Sequence, residues 1–164
     1  MKRRRIEPGP GQESVWDYPR PPGLERVSKR IEIGFAGRSL ANTTSAYRVL
    51  ETSHPPSYYL PPADIDFSML QQSERSSFCE WKGQAIYYDL VCGTETFASA
   101  AWAYPLPTAR FAAIAGYVSV YAHALDVCRV ADEDVEPQPG DFYGGWVTSE
   151  IIGPFKGAAG TWGW

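Results

Sequence analysis

Residues 85–92 constrain the fold more than any other stretch. Ala85, Tyr87, Asp89 and Val91 alternate with Ile86, Tyr88, Leu90 and Cys92. A period of two belongs to a β-strand. The Ile86 set is the apolar face and is expected to point into the core. The Ala85 set carries Tyr87 and Asp89 toward solvent or a cleft. Just ahead stand Cys79, Glu80 and Lys82, a thiol, a carboxylate and an amine within four positions. Gly83 then permits a bend or a close backbone approach. Gly93-Thr94-Glu95 reads as a turn, and Thr96–Ala103 as the returning strand, with Ala98, Ala100 and Trp102 on one side.

The rest of the chain reads the same way. Fifteen glycines and fourteen prolines among 164 residues favour short strands and turns over long helices. Ile31, Ile33 and Phe35 alternate with Arg30, Glu32 and Gly34. Ala36-Gly37-Arg38 is a turn, and Ser39–Asn42 and Ala46–Glu51 are further strands of an antiparallel meander. Pro61–Asp64 suits one turn of helix, Ile65–Leu70 a short strand, and Gln71–Ser77 a polar connection. Thr108 caps a short helix over Ala109–Ala115 that Gly116 stops. Tyr117–Tyr121 and Ala124–Val130 read as strands, and Asp132-Glu133-Asp134 as an acidic, solvated turn. The expected organisation is an extended, Pro-rich arm (1–26), a β body (27–135) and a Gly-rich aromatic tail (136–164). Trp16 and Tyr18 in the arm, and the tryptophans of the tail, are costly to expose, so both segments are expected to dock on the body or on a second subunit.

Bulk properties narrow the function classes. The formal net charge of −4 gives no push toward nucleic acid, and the basic run Lys2-Arg3-Arg4-Arg5 reads as a solvated tail. No apolar run approaches the roughly 20 residues that cross a bilayer, and no secretory apolar segment follows the basic run. A cytoplasmic protein without membrane contact is expected. Cys79, Cys92 and Cys128 form no C-x-x-C pair, so no structural metal site is expected and the thiols read as free. Cys92 and Cys128 read as small buried hydrophobes. No motif specifies a cofactor.

Several motifs together resemble a known family. Glu51 with Pro55-Pro56 is followed by Tyr58-Tyr59 and Pro61-Pro62-Ala63-Asp64-Ile65. Cys79-x-x-Lys82-Gly83-x-Ala85 and Trp102-x-Tyr104-Pro105 complete the order. Over residues 27–130 this resembles the family catalogued as domain of unknown function 427, sometimes labelled nucleotidyltransferase-like. The flanks are similar to a longer branch of it. Many members carry proline after the motif cysteine, where this chain has Glu80. The resemblance implies a small, mainly β fold of the tent type. In it, two antiparallel sheets meet at an angle around a cleft, an architecture shared by methionine sulfoxide reductase B and the ligand domain of cereblon. It implies no activity.

The expected site is that cleft. Tyr58, Tyr59, Trp81, Tyr87 and Trp102 would form aromatic walls, and Glu51, Glu80, Lys82 and Asp89 the polar anchors of a small-molecule site. The Pro-Pro pairs around His54 and the tyrosines would hold that loop stiff. A second reading is an enzyme. Cys79 would be the nucleophile, with Lys82 lowering its pKa and Glu51 or His54 moving protons. Alternatively, Glu51, Asp64 and Asp89 would converge on Mg²⁺ for nucleotidyl transfer. A third is an interaction module whose tail forms a homodimer contact.

Overall fold

The computed structural model describes residues 4–140 and 142–164. Lys2 and Arg3 of the basic run and Asp141 of the tail lie outside the described residues.

The chain is mainly β. Its longer strands are β1 (Gly23–Val27), β2 (Ile31–Phe35), β3 (Arg38–Thr43), β4 (Ala46–Leu50) and β5 (Ser57–Tyr59). Next come β6 (Leu70–Cys79), β7 (Gly83–Cys92), β8 (Glu95–Ala103), β9 (Val118–Val120), β10 (Val127–Val130) and β11 (Glu133–Asp134). They form antiparallel sheets of order β1-β4-β5, β9-β8-β7-β6 and β11-β10-β2-β3. Leu60 and Val118 exchange both backbone hydrogen bonds, at 2.8 and 3.0 Å, and so pin the first sheet to the second. The main core fills the space against the third sheet, with Ile31, Leu40, Leu60, Leu90, Ala101 and Val118 almost fully buried.

β7 serves both of its faces. Ile86, Tyr88, Leu90 and Cys92 pack on the main core, as the alternation predicts. Ala85 and Tyr87 join a second cluster on the opposite face with Val49, Tyr59, Trp102 and Phe111. Asp89 goes to neither. β8 bulges between Phe97 and Ala101 with Ser99 at φ +51, and the Asp89 carboxylate accepts the Ser99 N–H at 2.7 Å. That charge-assisted bond steadies a left-handed residue that would otherwise be strained.

Four segments differ from the sequence reading, each for a local reason. Gln71–Ser77 is the outer half of β6 rather than a connection. It pairs only with β7 and is solvated on both faces, so it carries no apolar alternation. The strand expected at Ile65–Leu70 is a 3-10 turn over Phe67–Met69, because the Asp66 carboxylate caps the Ser68 N–H. The helix expected at Ala109–Ala115 is a 3-10 segment over Ala109–Ile114, broken at Phe111 (φ −110, ψ 18). Thr108 does not cap it: its hydroxyl donates to the Trp81 carbonyl at 2.7 Å and its N–H to the Lys82 carbonyl at 3.0 Å. β10 begins only at Val127, since Ala122–Ala124 is another 3-10 turn.

The acidic turn is used structurally. Glu133 accepts from the Ser149 N–H and hydroxyl, and Asp134 pairs with Arg129 at 3.0 Å. The arm and tail lie on their own chain. Glu13–Ser14 runs parallel to Ile151–Ile152, and the Trp16 indole donates to the Pro154 carbonyl. Trp146 is fully buried, stacks on Tyr58 at 4.9 Å and donates to the Val120 carbonyl. Two tail glycines are required by close approach. A Cβ on Gly144 would stand 2.2 Å from the Trp102 ring, and one on Gly157 would stand 1.8 Å from the Pro139 carbonyl oxygen. Among the described residues no helix is long and apolar enough to cross a membrane.

Candidate functional site

The second aromatic cluster does not fill the angle between the first two sheets. A cavity of about 370 Å³ remains, with β4 and β5 on one side, β7 and β8 on the other, and the tail across it. Motif residues from four separate segments meet there: Glu51, Tyr59, Cys79, Lys82, Trp102 and Tyr104.

Lys82 is placed by the turn between β6 and β7. Gly83 takes φ +105, which a side chain would resist. Thr108 ties both the Trp81 and the Lys82 carbonyls to the segment behind. The Lys82 side chain then folds inward, 9% exposed, with Nζ 5.7 Å from the Tyr104 ring centre and 5.9 Å from that of Phe111. No carboxylate pairs with it among the described residues. Arg75, on the edge strand β6, lies over the Tyr87 ring at 4.3 Å, and Lys156, from the tail, lies over Tyr143 at 5.5 Å.

Hydrogen bonds orient the wall. The Trp102 indole donates to the Tyr59 hydroxyl at 3.1 Å, and Tyr87 shares a 2.8 Å bond with Ser77. Burial pushes the Tyr59 and Tyr104 hydroxyls well above the usual range, so both stay protonated donors. His54 is held by Gln138, which is 3% exposed. The Gln138 carbonyl oxygen accepts the Gly145 N–H at 3.0 Å, which turns its amide nitrogen toward the Lys156 carbonyl and His54 Nδ1. Nδ1 is therefore the acceptor, and the network assigns the ring proton to Nε2, 4.0 Å from a Glu51 carboxylate oxygen. Burial, then the charges of Lys156, Lys82 and Arg20, hold the His54 pKa down to about 4, so the ring is neutral near pH 7.

The sequence-derived candidates divide. Glu51, His54, Tyr59, Cys79, Trp81, Lys82, Tyr87 and Trp102 share the cavity. Tyr58 and Tyr59 are neighbours on one strand and face opposite ways, so Tyr58 stacks on Trp146 in the main core. Glu80 is exposed at the tip of its turn, and Asp89 is bound to the β8 bulge. Asp64 accepts from the Thr43 hydroxyl at 2.7 Å, so the carboxylates Glu51, Asp64 and Asp89 do not converge. Cys92 ends β7, about 30 Å along the strand from its Cys79 end. Cys128 lies in the main core, where burial pushes its thiol pKa up. Neither thiol shares the cavity with Cys79. Arg75, Gln138, Tyr143 and Lys156 line the cavity without having been singled out. Only the glycines and aromatics of the tail signalled that it docks.

These features define a small, mainly β domain with an aromatic, cation-bearing cavity between two pinned sheets. The chain belongs to the family described as "Domain of unknown function (DUF427)", which matches residues 23–131. No curated protein matches it. The matched span supplies both sheets around the cavity. The tail wall, with Gln138, Tyr143, Gly144 and Lys156, lies beyond it.

Proposed function

We propose that this protein binds a small organic molecule in the cavity around Lys82, with the tail forming part of the ligand wall. The observation that carries this reading is Lys82 itself. A lysine side chain nine-tenths buried, with no carboxylate partner among the described residues, costs stability, and the sheets, the turn and the 108–114 segment together hold it there with its charged end toward the cavity. Such a cost is retained at sites whose charge has work to do on a visiting molecule. Aromatic walls with a few oriented polar groups are the usual make-up of a ligand pocket. Three unpaired thiols fit a reducing, cytoplasmic setting.

A fragment screen by ligand-observed NMR tests this, with Cys79 as the reporter. Fragments that bind should also slow alkylation of Cys79, resolved by peptide mass. Hits that leave the Cys79 labelling rate unchanged would place binding elsewhere and sink the reading.

A thiol-dependent enzyme is the second reading, favoured by Cys79 sharing the cavity with Lys82 and His54. Without a second thiol in the cavity, a redox reaction of Cys79 calls on an external reductant, whereas an acyl or group transfer would return the free thiol through water or an acceptor molecule. Cys79→Ser separates the two readings: it should abolish a thiol reaction and leave binding intact.

A further inference from the structure

Among the described residues three cations line the cavity, Arg75, Lys82 and Lys156, against one carboxylate, Glu51, and His54 is neutral. This is a cationic pocket in a chain whose net charge is −4. Outside the cavity one inward-lying cation is neutralised by carboxylates. Arg48, 13% exposed, pairs with Glu13 at 2.6 Å and Glu25 at 2.7 Å. In the cavity each cation lies on an aromatic face instead. A ring face attracts a cation but does not cancel its charge, so the pocket keeps an outward-acting positive field.

The neutral groups add donors to that field. The Tyr59 oxygen accepts from Trp102, and among the described residues its own hydrogen has no acceptor. Gln138 occupies His54 Nδ1, which leaves the Nε2–H as the ring's donor, 4.0 Å from a Glu51 carboxylate oxygen and so beyond a hydrogen bond to it. Donors thus outnumber acceptors, the pattern that recognises an oxyanion. An engineered cavity of about 150 Å³ holds one benzene ring. At about 370 Å³ this one has room for a ring, a charged head and a substituent. Trp81, at the mouth, is 37% exposed and offers an apolar surface to the body of such a molecule.

We propose, resting on the ligand-binding reading of the cavity, that the ligand is an organic anion: a carboxylate or phosphate head on Lys82 carrying a ring-sized apolar body against Trp81 and Trp102. The head is bound by Lys82 Nζ with the Tyr59 hydroxyl and His54 Nε2–H as neighbouring donors. Arg75 and Lys156 add attraction at the sides.

Four probes of one size test the class: benzoate, phenyl phosphate, benzamide and benzylammonium, titrated by NMR and tryptophan fluorescence. The expected result is benzoate or phenyl phosphate binding about tenfold or more tightly than benzamide, the equivalent of one hydrogen bond to a charged group. The stronger of the two identifies the head. In Lys82→Met that preference should disappear while benzamide binding persists. Lys82→Arg should keep it, which guards against a folding defect in the first variant. Benzamide or benzylammonium binding as well as the anions, or a preference that survives in Lys82→Met, would overturn the anion assignment and leave the pocket standing as a ligand site. Failure of all four at millimolar concentration would count against both.

Discussion

Acid should destabilise this fold through one buried imidazole. His54 is 13% exposed, edge-on to Tyr143 at 4.7 Å, and bound through Nδ1 to Gln138. Protonation would put a cation in a pocket that already holds Lys82 and Lys156, and it would take away the acceptor that Gln138 uses. Burial first, and these charges second, lower the His54 pKa from 6.5 to about 4. In the unfolded chain the ring takes its proton near 6.5. Between pH 6.5 and 4 the unfolded state therefore binds more protons. The stabilising contribution of neutral His54 is complete above pH 6.5, is lost as the pH falls through that window, and changes no further below about 4. The full shift corresponds to about 3 kcal/mol, of which about 2 kcal/mol is lost by pH 5. In a chain of this length that is about 4–8 °C of melting temperature. The assay is urea unfolding followed by tryptophan fluorescence at pH 7.5, 6 and 5, comparing the wild type with His54→Gln. Carboxylates remote from His54 titrate alike in both proteins and cancel in the difference; Glu51, 4.0 Å from the ring, belongs to the effect measured. The wild type should lose about 2 kcal/mol more than the variant between pH 7.5 and 5. Parallel losses would mean that the ring is charged, or hydrated enough to charge freely, in the folded protein. The donor role given to its Nε2–H would then fall with it.

Other substitutions probe the neighbouring contacts. Lys82→Met should raise stability by about 1 kcal/mol or less in chemical denaturation, since it replaces an inward-folded lysine with an apolar side chain of similar length at the loss of two weak ring contacts; a less stable variant would show that the ammonium is already well compensated. Trp146→Ala should cost about 3–5 kcal/mol, because it deletes a fully buried indole that stacks on Tyr58 and bonds to Val120; a melt within a degree of wild type would show that the tail is not integral to the fold. Gly144→Val should push the tail off Trp102, cost about 1–3 kcal/mol and shift the tryptophan emission to the red. In native protein iodoacetamide should modify Cys79 well before Cys128, whose thiol pKa is raised by burial; equal rates by peptide mass would contradict the assignment of Cys128 to the core.

How far the site was legible in the sequence follows from what each residue depends on. Tyr87 and Trp102 were readable because strand alternation fixes which face a residue takes, and their strands have it; Lys82 was readable from its place between Cys79 and Gly83, in the turn that leads into β7. Tyr59 was readable only together with Tyr58. Adjacent residues on one strand must part company, but nothing local says which of the two meets the cavity. That choice is made by Leu60, whose bridge to Val118 pins the two sheets and sends Tyr59 to one side and Tyr58 to the other. Asp89 obeys the alternation of its own strand and still misses the cavity, because the bulge on the neighbouring strand claims its carboxylate. Arg75 was hidden by its strand, an edge solvated on both faces that has no apolar rhythm to reveal it. Gln138 and Lys156 were beyond reach for a different reason. Gln138 acts on His54, 84 positions earlier in the chain, and Lys156 borders a pocket whose other walls come from far earlier strands. What the sequence does carry is the steric condition for those contacts. Gly144 and Gly157 are residues whose missing Cβ lets one backbone lie flat on an indole and another on a carbonyl. A glycine-rich tail thus announces that something will be approached closely, and only the packed chain names the partner. Of the three cations, Lys82 stood in a readable motif, Arg75 was hidden on its edge strand and Lys156 arrives with the docked tail, so the aromatic cleft and one of its charges could be read from the sequence and the excess of positive charge could not.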